Sequence, residues 1–128
     1  MTGKRYIWVI GLAALFTGVS AMAAPGDMSV ATFLAKADAL KTKGIMALAS
    51  SDVALLTSEG KAGGTAYRER IKADAAAKRP PHSCPPAKAA VKSDEFLNHL
   101  RSYPEAARAK VSIKTATADL MKKRYPCK

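Results

Sequence analysis

Acidic residues, aromatic rings and cysteines are all scarce in this 128-residue chain. There are 10 Asp and Glu against 21 Lys and Arg, a formal charge of +11. Aromatics make up 6% of residues, and cysteines number two. So few rings give no stacking platform for single-stranded nucleic acid, and no nucleic-acid partner is expected. The enzyme signatures H-E-x-x-H, G-x-S-x-G and the P-loop are missing. C-x-x-C-H, needed for covalent haem, is missing too. No run of alternating apolar and polar residues marks a β-strand. These absences point to an all-α binding protein with no catalytic residue, metal ligand or cofactor site.

The N-terminus carries an export signature. Lys4 and Arg5 form a positive start, an apolar run extends from Ile7 to Val19, and Ala21-Met22-Ala23 provides small residues for cleavage. The run is shorter than the ~20 helical residues a membrane span needs. It is therefore read as a signal peptide over residues 1–23, with no transmembrane segment in the mature chain. No lipid-attachment cysteine lies near the cleavage point. Residues 24–128 then form a single small domain in the periplasm or beyond it, still strongly basic.

An oxidising compartment changes the reading of the two cysteines. Cys84 sits in "RPPHSCPP" and Cys127 in "RYPCK". One pairing is available within the chain, so a Cys84–Cys127 disulfide is expected. Closing that loop stabilises the fold by about 4 kcal/mol in the chain-entropy picture. The flanking prolines stop helices and stiffen the backbone, placing both cysteines at element ends. A nucleophilic Cys84 served by His82 has poor geometry, two residues apart on a proline-stiffened segment. A metal set of Cys84, His82, Cys127 and His99 has no recognised spacing.

The mature region reads as helices. Ser29 is an N-cap and Gly44 a stop for a first helix with the stripe Val30, Phe33, Leu34, Ala37 and Leu40. "IMALA", Ile45 to Ala49, makes one turn. Ser50, Ser51 and Asp52 offer caps for a longer helix. In it Leu56, Gly60, Gly63 or Gly64, Tyr67 and Ile71 share one face. The glycines in "EGKAGGT" allow two readings: a loop between two helices, or a shallow strip against which another helix packs. Each costs about 1 kcal/mol inside a helix. "TAYRERIKADAAAKR" is helical and ends at Pro80-Pro81. Pro80 to Ser93 is an irregular connector.

Ser93 caps the next helix, with Asp94 and Glu95 in its first turn. Those two acids point about 100° apart and do not form a facing pair. Phe96, Leu97, Leu100 and Tyr103 make its stripe, flanked by His99 as a half-buried structural residue. A last helix starts near Val111 or Ser112, buries Ile113, Ala116, Thr117, Leu120 and Met121, and ends in Lys122-Lys123-Arg124 before Pro126. The expectation is four or five helices around one core.

The positive surplus favours anionic partners: acidic proteins, lipopolysaccharide or cell-wall polymers. The same lysines, spread over every helix, also serve solubility alone.

The stretch from Cys84 to Cys127 resembles the C-terminal part of the periplasmic amidase immunity proteins of type VI secretion, the Rap/Tai family. The matching features are a Cys-x-Pro opening at Cys84 and Pro86, a Tyr-Pro-Glu corner at Tyr103, Pro104 and Glu105, and an aromatic-Pro-Cys ending at Tyr125, Pro126 and Cys127. The resemblance implies a helical periplasmic protein that binds and blocks a secreted cell-wall amidase, and it implies the same disulfide. Many members carry a second cysteine pair, which this chain lacks. The half before Cys84 has no counterpart in the pattern, so no inhibitory residue transfers. The alternative expectation is an envelope or stress protein that binds anionic surfaces through its charge.

Overall fold

The computed structural model describes residues 23–128. The signal-peptide reading of residues 1–23 lies outside these, Ala23 excepted. The described chain is all-α: α1 (Val30–Lys43), a 3-10 segment (Gly44–Ala49), α2 (Ser51–Ala76), α3 (Ser93–Arg101), α4 (Glu105–Arg108) and α5 (Ile113–Arg124). None of these helices is long and apolar enough to cross a membrane.

The caps reflect local chemistry. The Ser29 and Ser112 hydroxyls accept from Thr32 N and Thr115 N, opening α1 and α5. Gly44 closes α1 at φ 57°, where a residue without Cβ meets no steric penalty. Ser50, not Ser51 or Asp52, caps α2 by accepting from Asp52 N. Ser93 is the first residue of α3 rather than its cap. Lys92 takes the extended cap conformation and makes no side-chain cap bond. Pro104 caps the short α4.

The glycine question resolves as one continuous helix, since α2 runs unbroken through Gly60, Gly63 and Gly64. At Gly63, α5 passes so close that a methyl group would stand 2.5 Å from Thr117 Oγ1. Among the described residues, nothing lies within 4 Å of where a Cβ would stand at Gly60 or Gly64. The strip reading therefore holds at Gly63 and fails at its two neighbours.

α5 is the central helix, in contact with α1, α2 and α3. Every residue expected to face inward on it is buried: Ile113, Ala116, Thr117, Leu120 and Met121. Val30, Phe33, Leu34 and Leu100 pack on one side of it, with Phe33 edge-on to Phe96 at 5.8 Å. Tyr67, Ala118 and Met121 form a second cluster. Val30, Leu100 and Ile113 are wholly enclosed, each worth about 1.5–3 kcal/mol of burial.

An N-terminal strap ties across this core. Val30 N donates to Val111 O, Ile113 N to Met28 O, and Lys114 N to Gly26 O, around an isolated bridge between Ser29 and Ser112. The buried Glu59 carboxylate accepts from Gly26 N at 2.7 Å and Met28 N at 3.2 Å. Sequence reasoning gave Glu59 no role. Its neighbours in "SEGKAGG" are polar or glycine, so nothing local marks it as an anchor.

Candidate functional site

Cys84 and Cys127 are joined, with Cα atoms 5.0 Å apart. One backbone hydrogen bond also joins the connector to the tail: Cys84 N donates to Tyr125 O at 2.8 Å. Arg124 adds a second clamp, donating to Ala90 O and to Glu95 Oε2, both at 2.8 Å. The disulfide is thus a structural staple holding the connector against the end of α5.

That staple shapes a groove. α2 forms one wall, where Leu56, Gly60, Gly64 and Ile71 line it. Phe33, Ala37 and Leu40 of α1 and Phe96 and Leu97 of α3 face them. Leu120 and Met121 of α5 make the floor, and the connector closes one end with Pro85, Pro86 and Val91. The volume is about 1200 Å³, open to solvent. It exceeds the ~300–1,000 Å³ usual for small-molecule sites. Phe96, Leu97, Tyr103 and Leu40, expected to be interior, are only half-buried. For Leu40, Phe96 and Leu97 the reason is that the groove passes over them.

Charge on the groove has one sign. Its charged lining residues are Lys61, Arg68 and Lys72, all on α2. Lys72 also pairs with Glu69 at 3.1 Å, on the exposed surface. At the α1–α2 end, the 3-10 segment comes after α1, whose Leu40 lines the groove, and precedes α2, whose Val53 does. Its Ile45, Met46 and Leu48 are 82%, 71% and 81% exposed. One turn over "IMALA" was expected and is present, but its apolar side chains face outward.

A second, smaller hollow of about 250 Å³ is polar, lined by Tyr67, Arg70, His82, Lys114, Thr115 and Asp119, with two alanines. The Tyr67 hydroxyl stands 3.0 Å from His82 Nδ1 and 2.5 Å from the buried Ser83 Oγ. Burial, then Arg70 and Lys122, lower the His82 pKa below its usual value. The Tyr67 hydroxyl thus bridges the imidazole and the Ser83 hydroxyl. His82 thus braces Tyr67 and does not serve Cys84, whose sulfur is in the disulfide.

His99 is half-buried, as expected, and donates from Nε2 to Ala116 O at 2.9 Å. Burial lowers its pKa. Tyr103 donates to Asp119 Oδ2. Burial first, and then Asp119, raise the Tyr103 pKa. His82 and His99 therefore sit in separate structural networks. Asp94 is exposed, while Glu95 holds Arg124.

Comparison with protein-family models finds no match, and neither a curated protein nor a solved structure is similar to the chain. The groove itself can do one kind of chemistry: bury an apolar surface of a partner while pairing its negative charges.

Proposed function

We propose that this chain is an exported, non-catalytic binding protein of the cell envelope that acts by docking a protein partner in the groove. The observation that carries this is the 1200 Å³ apolar groove whose charged lining residues are all cations. The groove is open and mostly apolar with cations along one helix, a composition that suits contact with an acidic, partly apolar protein surface. Ile45, Met46 and Leu48, between α1 and α2, are further exposed apolar side chains. A disulfide fits export, because it persists in an oxidising compartment.

The partner proposed is a secreted cell-wall amidase, inhibited as in the immunity proteins that the Cys84–Cys127 stretch resembles. The test is titration of the oxidised protein into the amidase encoded nearest its gene, read by calorimetry and by residual peptidoglycan cleavage. A one-to-one complex with loss of cleavage is expected. No complex and full cleavage would remove the amidase assignment.

A second reading is favoured by a different feature. Lys41 and Lys43 flank the exposed apolar tip at residues 45–48, a combination suited to an anionic envelope surface. It expects sedimentation with lipopolysaccharide or phosphatidylglycerol vesicles that is lost as salt rises.

A further inference from the structure

We propose that the occupant of the groove is an amphipathic α-helix of the partner, with an apolar face and a row of acidic residues lying along α2. This rests on the groove being a protein-docking site, and it specifies what docks there.

Three features of the groove select a helix. Lys61, Arg68 and Lys72 are separated by seven and four residues, so they fall within about 40° of one another around α2. They span about 16 Å along its axis. A lipid or a fatty acid offers one anionic head at one end and would satisfy one of these cations. A helix with acidic residues at the same spacing reaches all three, competing at Lys72 with its exposed pair to Glu69.

The wall beside that row is shallow. Among the described residues, Gly60 and Gly64 meet nothing within 4 Å of where a Cβ would be, and both line the groove. Each costs α2 about 1 kcal/mol of helix propensity without a packing partner among the described residues. A helical backbone lying against them can approach as closely as α5 does at Gly63. Finally, the opposite side presents half-buried Leu40, Phe96 and Leu97 to receive apolar side chains at helical spacing.

The experiment uses the oxidised protein and two synthetic helical peptides of about 18 residues, or five turns. Both carry the same leucine face. One has glutamates spaced like Lys61, Arg68 and Lys72, and the other has lysines there. Amide chemical shifts locate binding, and fluorescence anisotropy measures it. The acidic peptide should bind about tenfold or more tightly than the basic one, with shifts at Gly60, Gly64, Val91 and Leu97. The exposed triple variant Lys61→Glu/Arg68→Glu/Lys72→Glu should reverse the preference. Gly64→Leu, which fills the wall while favouring helix, should abolish binding of the acidic peptide with the fold intact by circular dichroism.

Equal binding of the two peptides, binding by neither, shifts outside the groove, or capture by phosphatidylglycerol vesicles alone would each overturn the inference. An amidase complex indifferent to the triple charge reversal would keep the proposed function and remove this occupant. Groove binding of the acidic peptide without an amidase complex would do the reverse.

Discussion

Gly63 of α2 and Thr117 of α5 lie so close that a methyl on Gly63 would stand 2.5 Å from Thr117 Oγ1. That hydroxyl is already committed, donating to Ile113 O at 2.8 Å. Gly63→Ala should therefore destabilise by about 1–2 kcal/mol, overpacking outweighing the gain in helix propensity. Thr117→Ala in the same chain should restore most of the loss. Gly64→Ala, facing open space, should stabilise by up to about 1 kcal/mol. Urea denaturation of the four proteins checks the set, and Gly63→Ala at least as stable as the parent would refute the close approach.

Glu59 fastens the N-terminal strap. Glu59→Ala leaves Gly26 N and Met28 N without their acceptor in a mostly closed site, at a cost of about 2–4 kcal/mol. Glu59→Gln keeps an oxygen and should lose about half as much. Hydrogen exchange at Gly26 and Met28 should accelerate in the alanine variant while Leu100 stays protected. Unchanged exchange at both amides would contradict the strap.

The disulfide should behave as a single unit. Cys84→Ser and Cys127→Ser should each lower stability by about 2–5 kcal/mol, and the double variant by the same amount. Additive losses would mean that each cysteine acts independently of the bond.

Lys78 holds a left-handed backbone at φ 54° just past the end of α2. Lys78 N donates to Ala75 O and Arg79 N to Asp74 O, the paired bonds of a Schellman ending usually completed by glycine. Lys78→Gly should therefore raise stability by about 0.5–1 kcal/mol despite its greater freedom when unfolded. A thermal midpoint that falls would refute the left-handed ending.

Stability should decline on acidification. Burial holds His99 below its unfolded value of 6.5, and His82 is lowered likewise, by burial and by Arg70. The unfolded chain then binds more protons than the native one as pH falls through about 6.5, and stability drops with it. It should level off below the native pKa values. Urea midpoints at about pH 7.5, 6.5 and 5.5 should descend in the parent. They should be nearly flat through that window in His82→Gln/His99→Gln. An equal descent in that variant would assign the effect elsewhere.

Much of the fold was legible in the residues. The stripes on α1 and α5, the Ser29 cap, the Gly44 stop and the Cys84–Cys127 pair come from spacing and backbone chemistry that act within a few residues or leave one pairing. The glycines of α2 were ambiguous because propensity favours a break while Thr117, far along the chain, supplies the packing that overrides it. Glu59 was invisible because its partners are backbone amides, which carry no sequence signature. The groove was invisible for a related reason. The stripe on α3 looks the same whether a helix covers it or solvent does, and only the placement of α2 and the connector leaves Phe96 and Leu97 half-open.

α5 is the helix on which α1, α2 and α3 all rest. Remove its start and the N-terminal strap loses Val111 O and Ile113 N, two of the backbone groups that hold it, so one helix anchors both the bundle and the segment that precedes α1.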